Sequence, residues 1–329
     1  MTRFPRLAAA AALLFAAPVL AMPAAAETLR FAHFVAPTHT LTEAIVTPLT
    51  TGVAASGLEI RTYPAGELGA GPAEQYIRAV QGVADIVWGL PGYTSSQFPL
   101  SMLTEWPGAL PQGMTGADFL WNGVDAGLLA REYPATVPVA LWTAEDAVLV
   151  LRDRIVRQPA DLAGLKIRVS SAVSGQVVQA LGANPVQMPA GDVYNALQTG
   201  LIDGVVIGSS GISDFRFDEV LGHVVTGIPL GNQSFFVVAN AARIARLPAA
   251  ERAAFEAASG RDLSRHAEAL WNAKGEAAIA GLRARDAAIV IDLTEAEIAA
   301  FEAILLPLTE AAVTDQGLSD AFATMRGAE

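Results

Sequence analysis

Residues 157–208, RQPADLAGLKIRVSSAVSGQVVQALGANPVQMPAGDVYNALQTGLIDGVVIG, read as strand, helix, strand, helix, strand with little between the elements. In the first strand, Leu165-Lys166-Ile167-Arg168-Val169, three apolar side chains fall on one face and two cations on the other. Asp192 is placed to cap a helix over Val193–Thr199, and Gly200 to stop it. Arg168 sits near the carboxyl end of its strand, where an open α/β sheet exposes its ligand crevice. A guanidinium there can grip a carboxylate through two parallel hydrogen bonds. This stretch predicts an anion-binding α/β protein.

The same alternation precedes it. Leu29–Phe34, Leu58–Tyr63 and Ala84–Trp88 read as strands, with helices expected over Leu41–Ala55 and Ala73–Gln81. Val137–Trp142 and Ala147–Leu151 read as strands leading out of a first lobe. Phe235–Ala239 is a buried strand that returns to it. Pro248–Ala287 is helical in pattern, although Gly260 and Gly275 weaken the case for one unbroken helix. The expected division is a first lobe over 27–147, joined by about 236–275, and a second over 148–235, joined by about 276–315. Each lobe should be a mostly parallel sheet flanked by helices.

The amino terminus gives an address. Arg3 and Arg6 precede an apolar run from Leu7 to Leu20, and small residues close it at Ala24-Ala25-Ala26. This is the layout of a cleaved secretory signal over 1–26, and the run is too short to span a bilayer comfortably. Removing those residues from the 329 leaves 303, enough for two cores. It takes two of the 21 cations and none of the 33 acids, so the net charge moves from −12 to −14. Such acidity argues against nucleic acid or anionic lipid as partner, and no later segment is long and apolar enough for membrane insertion. The chain has no cysteine, which excludes thiol catalysis and thiolate metal sites. Lysine occurs only at 166 and 274, so arginine is the default base. Arg168 therefore also fits a plain strand-end cation paired with a surface acid.

Chemistry beyond anion binding is weakly signalled. Gly208-Ser209-Ser210-Gly211 misses the spacing of a nucleophile elbow. The histidines at 33, 39, 223 and 266 form no metal-ligand pattern. Gly66–Gly71 has its glycines in the wrong order for a dinucleotide fingerprint, and no phosphate loop occurs. No cofactor or metal is expected. Trp88 and Trp142 fall near strand ends where a pocket would lie, though a tryptophan is more often core.

Several motifs together carry a resemblance. Tyr63-Pro64-Ala65-Gly66-Glu67-Leu68-Gly69, Gly82-Val83-Ala84-Asp85-Ile86, Asp161–Val169, Leu181–Val186, Val193–Gly200 and Asp203-Gly204 are similar to segments of one family. It comprises the solute receptors of tripartite ATP-independent periplasmic (TRAP) transporters, dicarboxylate-receptor-like (DctP) branch. The resemblance extends thinly over 27–310 and is most specific over 161–204. It implies a two-lobed periplasmic binding protein fold with long C-terminal helices, closing on a small organic acid in the cleft between lobes. It also implies a periplasmic address, integral-membrane permease subunits as partners, and Arg168 as the carboxylate anchor.

The expected lining adds Trp88, Gly89, Trp142, Phe34, Ser170, Ala190, Ile207 and Gln233. Departures from the family pattern point to a less polar pocket. Val206-Ile207-Gly208 stands where many relatives carry Glu-Asn-Pro, and Ala190 where a bulky aromatic often follows the Met-Pro turn. Val148 falls near a second basic position of sialic-acid-type members. The expected ligand is a monocarboxylate with an apolar or aromatic body. A C4-dicarboxylate or a sugar acid is the alternative, and a receptor feeding a sensor kinase, or an exported enzyme, is the alternative class.

Overall fold

In the computed structural model, which describes residues 27–69 and 71–327, strands and helices follow the expected order. The expected export signal at 1–26 lies outside the described residues. The strands are β1 (Thr28–Ala32), β2 (Glu59–Tyr63), β3 (Ile86–Gly89), β4 (Thr136–Thr143), β5 (Ala147–Leu151) and β6 (Lys166–Val169). They continue as β7 (Asn184–Gln187), β8 (Gly204–Gly208), β9 (His223–Thr226), β10 (Ser234–Asn240) and β11 (Val290–Asp292).

Two sheets result. One has the order β2-β1-β3-β10-β4, the other β11-β9-β5-β8-β6-β7. β1, β2 and β3 are parallel, as helical crossovers require. β10 returns from the second sheet and slots between β3 and β4, antiparallel to both. β5 likewise runs against β8 and β9, while β6 is parallel to β7 and β8. The strands that cross between lobes therefore oppose their neighbours, and each sheet is mixed.

The two crossings hydrogen-bond each other. Ala144 N donates to Gln233 O at 2.8 Å, and Asn232 Nδ2 to Asp146 Oδ1 at 3.0 Å. Helix Arg261–Arg285 spans the junction. Its Trp271 belongs to the core of the first lobe, and its Ile279 and Leu282 to that of the second. Gly260, at φ +104°, breaks the helical run before it. Gly275 is retained inside the helix because a Cβ there would lie 2.8 Å from the Glu145 carboxyl and 2.5 Å from Ser209 Oγ. The glycine lets the helix approach the crossing closely. Asp192 is not a cap: the helix starts earlier, at Ala190 after Pro189, and Asp192 falls in its first turn. There a carboxylate still meets the positive end of the helix dipole.

The Gly82–Ile86 motif has a mechanical reason. Buried Asp85 accepts from Arg30 N at 2.8 Å, Arg30 Nε at 3.0 Å and Arg30 Nη2 at 3.1 Å, while Nη2 also donates to Gly82 O. One carboxylate thus pins the start of β3 to β1. Asp85→Ala should cost about 2 kcal/mol, since it strands a buried backbone donor and unpairs Arg30. Urea denaturation with an unchanged slope and a lower midpoint is the expected result.

Candidate functional site

Arg168 is fully buried, whereas Lys166, two residues earlier, faces solvent. The guanidinium is fixed through Nε, which donates to Met188 O at 2.9 Å on the turn after β7. Nη1 and Nη2 have no hydrogen-bond partner among the described residues. Burial holds the pKa below that of a free arginine; the Tyr93 phenol and then the Glu105 carboxylate counter part of that penalty. The arrangement is a positive fork, held at its root, with both tines unpaired. It is not a surface cation.

Glu105 is buried as well. It accepts a hydrogen bond from Ser171 Oγ, at the start of helix Ala172–Ala180 in the second lobe. Burial pushes its pKa up to about 7, against the Ser171 and Ser234 hydrogen bonds and the charge of Arg168. Around it the lobes meet along a polar seam. Ala190 N donates to Tyr93 Oη at 3.1 Å, and Ala172 N to Ser95 Oγ at 3.4 Å.

A second seam joins the lobes elsewhere on the cavity wall. Thr40 N donates to Asp214 Oδ1 at 3.0 Å, and His39 Nε2 lies 3.5 Å from Asp214 Oδ2. Asp214 ends the short helix Ser210–Asp214 after β8. Its carboxyl is raised above the ordinary range by burial, against the Thr40 hydrogen bond and Lys274.

Between the seams is a small cavity. Its walls are aromatic. Phe34 stacks on Trp88 at 4.8 Å, Trp88 tilts against Phe235 at 5.6 Å, and Phe235 against Trp271 at 5.5 Å. Arg168 is the single Lys or Arg among the described lining residues. His39 adds no positive charge, because burial lowers its pKa to about 3.

Of the residues singled out in the sequence, Arg168, Trp88, Phe34, Ala190, Ile207 and Gln233 line this cavity. Trp142, Gly89 and Ser170 do not. Trp142 sits on β4, one strand beyond β10, and is packed behind Phe235 and Trp271 at 5.3 Å from each. Gly89 faces Phe236, whose ring would lie 2.5 Å from a Cβ at that position. Ser170 is buried just past β6, and its carbonyl lies 3.4 Å from Gln187 Nε2. Val148 is a buried β5 residue, so no cation stands at that position.

Sequence reasoning missed Tyr93, His39, Asp214, Phe215 and Trp271, which also line the cavity. Trp271 carried a faint signal, since it falls within the helical pattern of Pro248–Ala287. The others lie in short helices and turns with no periodic pattern. Ser209 Oγ and Ser210 N both donate to Glu145 Oε1. Among the described residues no group of three His, Asp or Glu side chains is placed to hold a metal ion.

Known proteins share this architecture. A TRAP solute binding protein from Rhodoferax ferrireducens T118, in complex with copurified benzoate, superposes with a TM-score of 0.81 at 26% identity, over 92% of this chain and 97% of that one. A marine metagenome TRAP solute binding protein specific for aromatic acid ligands superposes at 0.82 with 24% identity, over 92% and 98%, which shows the shared fold. In sequence, the C4-dicarboxylate-binding periplasmic protein DctP of Rhodobacter capsulatus is 32% identical over 46% of this chain and 45% of that one. The alignments with the curated relatives span from a quarter to less than half of those relatives' length. The model of the bacterial extracellular solute-binding proteins, family 7 (DctP), matches residues 31–316, and with the two mixed sheets and the interlobe cavity this establishes that the chain belongs to that family.

Proposed function

We propose that this protein is the periplasmic receptor of a TRAP-type transporter, capturing a small organic acid and delivering it to integral-membrane permease subunits. The observation that carries the reading is the buried Arg168 fork, with two unpaired Nη groups on an aromatic-walled cavity between lobes. A ligand carboxylate would complete the fork through two charge-assisted hydrogen bonds. The rest of the ligand would displace water from Phe34, Trp88, Phe235 and Trp271. An aromatic or otherwise apolar monocarboxylate fits such walls, and the benzoate bound by the Rhodoferax relative supports that class. The similarity to the Rhodobacter dicarboxylate receptor favours a second reading, a C4-dicarboxylate. The cavity speaks against it, because no second cation among the described lining residues would receive the second carboxylate.

Calorimetric titration with benzoate, phenylacetate and succinate separates the two readings. Binding of the aryl acids and not of succinate is expected. Arg168→Ala should weaken aryl-acid binding by about 3 kcal/mol, roughly 150-fold, because it leaves a desolvated carboxylate without its partner. Arg168→Lys should recover little of the loss, since an ammonium cannot reproduce the planar two-point grip.

Binding should also depend on pH through Glu105. When ionised, Glu105 lends Arg168 a counter-charge; a bound carboxylate takes over that role and repels the Glu105 charge. Its pKa, already about 7, then rises further, so binding takes up part of a proton. Affinity for benzoate should therefore fall by about fivefold as pH rises from 6 to 8. Glu105→Gln should flatten that slope, measured by titration in buffers of different ionisation enthalpy.

A further inference from the structure

The cavity has two polar poles, and Arg168 accounts for only one. Tyr93 stands beside the guanidinium, and from it the rings run Tyr93 to Phe34 at 6.1 Å, Phe34 to Trp88 at 4.8 Å and Trp88 to His39 at 5.5 Å. His39 and Asp214 lie at the end of that row, both lining the cavity, with side chains 6% and 10% exposed.

Hydrogen bonding fixes what this pole offers. His39 Nδ1 accepts from Leu41 N at 3.1 Å, so its lone pair is engaged and the ring proton resides on Nε2. Nε2–H faces Asp214 Oδ2 at 3.5 Å, too far for a good hydrogen bond. Asp214 Oδ1 is taken by Thr40 N at 3.0 Å, and the Thr40 hydroxyl also lies against the carboxyl. Lys274, which could neutralise Asp214, is engaged with Glu43 at 2.8 Å. The His39 donor and the Asp214 carboxyl thus stand side by side on the cavity wall without a good hydrogen bond between them.

We propose that His39 and Asp214 form a second ligand subsite that takes a hydroxyl group, selecting hydroxylated acids and rejecting diacids. This inference rests on the aryl-acid reading above. A hydroxyl both donates and accepts, so it can give its hydrogen to Asp214 Oδ2 and receive one from His39 Nε2–H. A bare ring edge fills neither role. A carboxylate offers only acceptors and meets Asp214 as a like charge, which a dry cavity penalises. The anion pole and the hydroxyl pole together would read the ligand from both ends.

The test is calorimetry on the intact chain with phenylacetate, 3-hydroxyphenylacetate, 4-hydroxyphenylacetate and 4-carboxyphenylacetate. In the wild type, at least one hydroxylated acid should bind about tenfold tighter than phenylacetate, and the diacid about tenfold weaker. Asp214→Asn keeps an oxygen for Thr40 N. It should reduce the hydroxyl preference to within about threefold and bind the diacid about tenfold better than the wild type does. A gain for the diacid is not expected of a merely structural loss. Equal wild-type affinity for phenylacetate and both hydroxylated acids overturns the subsite and leaves the aryl-acid reading intact. So does a hydroxyl preference that survives Asp214→Asn. Binding of succinate with no aryl acid bound overturns both. The wild-type comparison needs no variant, so it stands even if Asp214→Asn melts early.

Discussion

A guanidinium with no exposed surface is expensive to keep charged, and the lobes are organised around that expense. Only Nε is fully served, by the Met188 carbonyl. The remaining compensation comes from Tyr93 and Glu105 in the opposite lobe and, less, from Asp192 in its own. A closing of the lobes would therefore bring the counter-charge and exclude water together. An anion entering the cavity would make the strongest of the missing contacts exactly where water cannot. On this reading capture and closure are one event, because the closed state alone assembles both sides of the cation.

What carries that event mechanically is the junction. The two crossings are stitched to each other by Ala144–Gln233 and Asn232–Asp146. Helix Arg261–Arg285 is anchored in both cores, and Gly275 lets it rest against Glu145 at the crossing. Trp271 is shared between the core of the first lobe and the cavity wall. A ligand pressing on that indole presses on an element that reaches both lobes. The cavity wall and the junction thus share one packed element.

The sequence exposed whatever is periodic or local. The 157–208 alternation, the period-two strand around Arg168 and the αL stop at Gly200 are properties of short windows, and each is found where it was read. The placement of Trp142 was missed for a non-local reason. Trp88 and Trp142 looked equivalent because both lie near strand ends. They differ because β10 inserts between their strands and carries the cavity wall with it. Nothing in the neighbourhood of Trp142 encodes that lateral placement. The same holds for Asp214 and Thr40, which are 174 residues apart and meet only when the lobes do. Asp192 failed for a local reason: the helix starts at Ala190 after the extended Pro189, three residues before the start a cap at Asp192 would give.

The electrostatics of the whole chain then make sense of how sparingly the cavity uses charge. The protein is strongly acidic, with a net charge of −12, and an organic anion approaches it against that field. A cluster of cations would draw any anion inward, large or small, and would be screened by salt. One buried fork acts differently. It is felt at contact range, in a low dielectric, and only by a planar anion that fits between the seams. An ionised Asp214 on the same wall would sharpen this further by opposing a second negative charge on a ligand. Selectivity here would come from where the single positive charge is placed, and not from how much positive charge the protein carries.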